Sequence, residues 1–171
     1  SRCVLGASSR SSRSLASTSA GIEASSGGVA LGSSETVSGS VSARGAVTLG
    51  SSAAVGGGIA TTGNVTLQSS ARVGTDIQAD GAVSLGHAIR VGGNVTSEDE
   101  SVSIASSNAV VVGCVKAPKD GNRKTITLGW HASVGGVCCR PGNSPQCQDS
   151  CVQNGSGYAM PPLCTAMPPP G

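Results

Sequence analysis

The chain has 171 residues, of which 37% are hydrophobic and 1% aromatic, with no Phe, one Trp and 26 glycines. It is long enough for one domain with a buried core, but so little aromatic and aliphatic material excludes a conventional layered core. A net charge of +2 with 12% charged residues points to no nucleic-acid or membrane partner and excludes a highly charged disordered chain.

In chain order, residues 1–26 read SRCVLGASSRSSRSLASTSAGIEASS, where only Leu5, Leu15 and Ile22 suit a core. This stretch is expected to form an irregular first coil, terminal repeats being atypical, with a flexible arm as the alternative. Residues 27–138 carry an internal repeat. Apolar residues fall at relative positions 0, 2, 8 and 12: Val29, Leu31, Val37, Val41; Val47, Leu49, Val55, Ile59; Val65, Leu67, Val73, Ile77; and Val83, Leu85, Val91, Val95. The starting valines lie 18 residues apart. Two further copies follow after insertions, Val102, Ile104, Val110, Cys114 and Ile126, Leu128, Val134, Cys138.

Eighteen residues divide into three sixes such as LGSSAA, VGGGIA and TTGNVT, each matching one short side of a triangular coil. Strand alternation points Val47 and Leu49 inward and Thr48 outward. Gly27, Gly45, Gly63 and Gly81 form a column that fits a corner needing positive φ or close backbone approach. A helix would hold these glycines in its interior at about 1 kcal/mol each. The predicted fold is therefore all-β, a triangular β-helix (β-solenoid) of about six 18-residue coils in which stacking neighbours build a continuous narrow core. Residues 139–171, CRPGNSPQCQDSCVQNGSGYAMPPLCTAMPPPG, carry turn chemistry and no repeat. They are expected to be a small disulfide-held segment that caps the last coil or forms a contact surface.

The run V-x-L-G-S-S-x-x-V-x-G-x-I-x-A between Val47 and Ala79, echoed from Val29 to Thr96, resembles the bactofilin repeat over about residues 27 to 138. The resemblance implies a right-handed triangular β-helix that joins end to end into filaments, and it carries over no functional residue. Hexapeptide-repeat acyltransferases, whose helix is left-handed, share the [LIV]-G-x-x-x-x pattern, so handedness is open. The cysteines, the serine-rich beginning and the proline-rich end depart from bactofilins, and direct the expectation toward a secreted relative.

Seven cysteines suggest an oxidising compartment, so the cell exterior or surface is expected, with the periplasm as the variant. No apolar run approaches the ~20 residues that span a bilayer, and the sequence reads as a mature or trimmed soluble chain without membrane insertion. Cys114 and Cys138, both at relative position 12, are expected to bond, since equivalent residues of stacked coils lie about 4.8 Å apart. Cys139, Cys147, Cys151 and Cys164 would form two more bridges of open connectivity, leaving Cys3 as the candidate for an intermolecular bond. Zinc at Cys138, Cys139, Cys147 and Cys151 is permitted by spacing, but disulfides suit the composition better, so no metal or cofactor is expected.

No catalytic residue is expected. His87 and His131, the two histidines, lack an orienting constellation, and a narrow prism offers no pocket with convergent polar groups, so no small-molecule substrate is expected either. Asn64, Asn94 and Asn154 open N-glycosylation triplets. The insertions carry Glu98, Asp99, Glu100 and, one coil later, Lys116, Lys119, Arg123, Lys124. They are expected to be solvated loops of weak ion pairs or, more sharply, a charged edge that aligns one rod on another. The leading expectation is a non-enzymatic structural subunit whose partner is itself, a homopolymer built by end-to-end stacking. Ice binding is the alternative, through the outward column Ala30, Thr48, Thr66, Ser84, Ser103 and Thr127, and an acyltransferase is the lesser one.

Overall fold

The computed structural model describes residues 3–5, 17–18, 21–105, 108–119, 124–141, 151–154, 161 and 164. Three short strands open the chain: β1 (Cys3–Leu5), β2 (Ser17–Thr18) and β3 (Ile22–Ala24). Four regular coils follow, each of three strands. They are β4 (Val29–Leu31), β5 (Thr36–Val37) and β6 (Val41–Ala43); β7 (Val47–Leu49), β8 (Ala54–Val55) and β9 (Ile59–Thr61); β10 (Val65–Leu67), β11 (Arg72–Val73) and β12 (Ile77–Ala79); and β13 (Val83–Leu85), β14 (Arg90–Val91) and β15 (Val95–Ser97). In the fifth coil β16 (Val102–Ile104) is followed by β17 (Val110–Lys119), which runs on around a corner; β18 (Ile126–Leu128) and β19 (Ser133–Pro141) repeat this in the sixth, and β20 (Val152–Asn154) comes last.

All pairing is parallel between equivalent strands of successive coils, as in Val47↔Val65↔Val83 and Val41↔Ile59↔Ile77. The molecule is thus a parallel β-solenoid of about 6 coils. Three strands per coil give three faces. The first holds β4, β7, β10, β13, β16, β18 and β20. The second starts at β2 and β5 and the third at β1, β3 and β6, and both end in β17 and β19, which belong to the two faces at once.

The core is narrow because each strand contributes only alternate residues. Val47, Leu49, Val65, Leu67, Val83 and Leu85 are buried while Thr66 and Ser84 between them are exposed. Each fully buried Val, Leu or Ile removes apolar surface from water worth about 1.5–3 kcal/mol, and among the described residues the buried core contains no aromatic side chain.

Two expectations about the coils change. The inward columns run Val37, Val55, Val73, Val91, Val111, Val134 and Val41, Ile59, Ile77, Val95, Val115, Val137. Val110, Cys114 and Cys138 are therefore each one residue off the inward position. One extra residue between Ile104 and Val110 produces the first two offsets, and a register shift against β19 between Val111 and Cys114 produces the third. The ladder also does not stop at Cys138, since β19 runs to Pro141 and β20 pairs with β18 through Ile126↔Val152, Thr127↔Gln153 and Leu128↔Asn154.

The glycine column is a place of close approach. A Cβ on Gly63 would lie 2.6 Å from the carbonyl carbon of Gly45 and 2.8 Å from the nitrogen of Ala46, and one on Gly45 2.7 Å from the carbonyl carbon of Gly27. Of this column only Gly27 has positive φ, at 85°. The left-handed corner is instead held by Ser34, Ser52 and Ser70 at φ 63°, Ala88 at 55°, Asn108 at 65° and His131 at 57°. Gly63→Ala is expected to lower stability by about 1–3 kcal/mol, because rigid backbone must shift. Ser70→Gly should change it by less than about 1 kcal/mol, relief of left-handed strain offsetting the entropy of glycine. Urea denaturation tests both; an unchanged midpoint for Gly63→Ala would contradict the close approach.

Candidate functional site

Residues that depart from the repeat stand at both ends of the stack. At the N-terminal end β4 is the first strand of its face among the described residues. In later coils the amide that follows the strand donates to a carbonyl one coil below: Gly50 N to Leu31 O at 2.7 Å, Gln68 N to Leu49 O at 2.9 Å and Gly86 N to Leu67 O at 2.8 Å. In the first coil the equivalent donor, Gly32 N, turns to the Glu35 carboxylate, donating to Oε2 at 2.7 Å. Glu35 is only 4% exposed and its Oε1 has no hydrogen-bond partner. It occupies an inward column otherwise filled by Ala53, Ala71, Ile89 and Ala109. A carboxylate is placed there because the edge has a backbone donor to satisfy, and an unsatisfied buried amide is costly. The glutamate in an alanine column was a legible signal that the sequence reading missed.

At the other end two disulfides fix the terminal segment. Cys114 bonds to Cys164, with Cα atoms 6.1 Å apart, and Cys139 bonds to Cys151, at 5.8 Å. Cys138 is disulfide-bonded as well. The expected Cys114–Cys138 bond does not form. The strand register sets Cys114 opposite Gly136 and Cys138 opposite Lys116, so the two cysteines do not share a column. Cys139–Cys151 ties β19 to the residue before β20, and Cys164 N donates to Val137 O at 3.0 Å, so the chain returns onto the last coil. Cys147 lies outside the described residues. Cys3 is on β1, at the opposite end of the stack from this cluster.

Polar side chains elsewhere support the corners. Thr61 Oγ1 donates to Gly45 O and Ser97 Oγ donates to Gly81 O at 2.9 Å, tying buried hydroxyls to the glycine column. Asp76 Oδ1 accepts from Asn94 N at 2.7 Å, Asn94 Oδ1 from Cys114 N at 2.8 Å, and Asn64 Oδ1 from Ala82 N at 2.9 Å. Asn64 is exposed and Asn94 half-buried, so both sequon asparagines also serve as inter-coil acceptors. Asn154 lies on β20, and its side chain is outside the description.

His87 and His131 are exposed and stand in different columns; His131 meets Trp130 edge-on at 5.4 Å between ring centres. Among the described residues no three His, Cys, Asp or Glu side chains converge to hold a metal. Of the basic insertion, Arg123 lies outside the description, and Lys116 pairs in register with Thr96, one coil from the acidic insertion and two residues short of Glu98. One surface concavity was not anticipated. A groove of about 520 Å³ runs along the second face, where the outward column is glycine at positions 56, 74 and 92.

The fold and its two ends define the class of protein, a disulfide-closed parallel β-solenoid. No family model, no curated protein and no solved structure matches the chain. Among the described residues no helix is long and apolar enough to cross a membrane.

Non-reducing peptide mapping is expected to recover Cys114 linked to Cys164 and Cys139 linked to Cys151; a Cys114–Cys138 peptide would contradict the register. By the chain-entropy relation, the bond spanning 50 residues should contribute about 4 kcal/mol and the one spanning 12 residues about 3 kcal/mol. Cys114→Ser is thus expected to lower the melting temperature at least as far as Cys139→Ser.

Proposed function

We propose that this chain is a non-catalytic structural subunit of an extracellular or cell-surface filament, bactofilin-like in its repeat, that assembles by head-to-tail stacking. The observation that carries the reading is the form of the ends. Among the described residues the first and second faces each hold seven strands, but the second begins one layer earlier, at β2, and the first ends one layer later, at β20. The step at one end therefore complements the step at the other. A second copy seated there would continue both ladders, pairing edges that have no further strand partner among the described residues. β1 adds an eighth strand to the third face and has to move aside for full seating. Glu35 acts as a brake on the same end, since its carboxylate holds the donor that an incoming strand would use.

The disulfides support an oxidising location. Cys3, on the outermost strand of one end, is placed by stacking near the cysteine-rich end of the next subunit, which supports an intermolecular bond there. The ice-binding alternative loses its best element, because the one Thr-x-Thr pair, Thr125 and Thr127, does not present two hydroxyls. Thr125 is buried and donates to Pro118 O at 2.7 Å.

Negative-stain electron microscopy of the concentrated native protein is expected to show filaments built of segments about 30 Å long, from six coils of about 4.8 Å each. Glu35→Ala should lengthen them. Dispersed single rods in both proteins would overturn the reading, as would filaments whose Cys3 peptide and Glu35→Ala variant show no link to the stacking contact.

A further inference from the structure

We propose that the rods also associate side by side, the acidic corner of one copy seating in the arginine-flanked groove of a second copy. The groove lies on the second face. Gly56, Gly74 and Gly92 line it, exposed, and Val112, 66% exposed, stands at one end. Arg72 and Arg90 flank it and pair directly in the β11–β14 register, so the two cations stand one layer apart. Both are exposed, and among the described residues neither has an ion-pair partner.

In a three-sided coil each face lies opposite the corner that joins the other two. The corner opposite the groove follows the third-face strands β6, β9, β12 and β15, and carries in turn Arg44, Thr62, Asp80 and the insertion Glu98, Asp99, Glu100. Asp99 N donates to Asp80 O at 3.0 Å, which sets the carboxylate-bearing residues in adjacent layers. Asp99 and Glu100 are exposed.

Layer by layer, the two surfaces match without any axial shift. Arg72 shares its coil with Asp80, and Arg90 shares its coil with Glu98, Asp99 and Glu100. A copy displaced straight along the normal to the groove face therefore brings its acidic corner to the arginines of its neighbour. Sliding by one layer breaks the match: one direction sets Arg72 against Thr62, and the other leaves Asp80 without an arginine. Single exposed ion pairs are weak, so the contact relies on two charged layers together and on a convex corner entering a concave, glycine-floored groove. Because the two patches differ, the contact is heterologous and propagates from rod to rod. It does not depend on head-to-tail stacking.

The test is sedimentation velocity of the full chain at low salt and near 1 M, where the screening length falls to about 3 Å, with the variants R72E/R90E and D80K/D99K/E100K. Wild type is expected to associate with rising concentration at low salt and to lose its fast-sedimenting species at high salt. Each variant alone should lose it at low salt, and an equal mixture of the two should regain it, since the reversed face of one then meets the reversed corner of the other. Recovery in the mixture also shows that both variants fold. Wild type that ignores salt, variants that associate as wild type does, or a mixture that stays dissociated would each overturn the proposal. Filament length by electron microscopy, which reads the head-to-tail contact, should be unchanged in both variants.

Discussion

Each coil of this protein is held by backbone hydrogen bonds to the coils above and below it, from partners about eighteen residues away in sequence. Val47 N donates to Asn64 O at 2.8 Å, Val65 N to Ala82 O at 2.9 Å and Ile77 N to Asn94 O at 2.8 Å. No coil can bury its inward valines and leucines alone, so hydrogen bonding and core formation are one event, completed only when the next coil is in place. This coupling explains how a sequence with almost no aromatic residues folds. It also explains why the polar residues with structural roles are found where the ladder turns or ends. Thr61 and Ser97 bind glycine-column carbonyls, Asp76 and Asn94 accept amides of the coil above, and Glu35 takes the place of a carbonyl where its face begins.

The same coupling makes the ends the chemically distinctive parts of the molecule. An interior coil is satisfied on both sides, whereas a terminal coil has one side to cover. The chain uses a different device at each end. A single buried carboxylate answers one donor at the N-terminal edge, and at the C-terminal edge a returning segment adds β20 and is fastened by disulfides. The first device can be displaced by rotating a side chain. The second is covalent. The two ends of the stack therefore differ in how readily they could be opened.

Most of the fold was legible because its signal is periodic. The alternation in Val47-Thr-Leu49, repeated every 18 residues, determines which residues face inward without reference to any partner. What was hidden lay where the period breaks. In Val110-Val-Val112 each residue is equally suited to the interior, so the sequence does not say that Val111 takes the inward place. Cys114 was displaced with it, a second slip against β19 displaced Cys138, and a disulfide was assigned to the wrong pair. The glycine column was read correctly as a corner but with its cause left open between two. Backbone proximity, which depends on the neighbouring coil, accounts for Gly45 and Gly63, and the left-handed corner is held by serines that no residue-type rule singles out. The groove arose from outward glycines that alternation treats only as solvent positions.

Amide hydrogen exchange followed residue by residue tests most directly whether stacked parallel ladders hold the molecule. The account predicts that the amides of Val47, Val65, Val83 and Ile77 exchange together and slowest, through opening of the whole stack, with protection falling toward β4 at one end and β20 at the other. Fast exchange of these central amides, or protection confined to the disulfide-bonded segment, would contradict it.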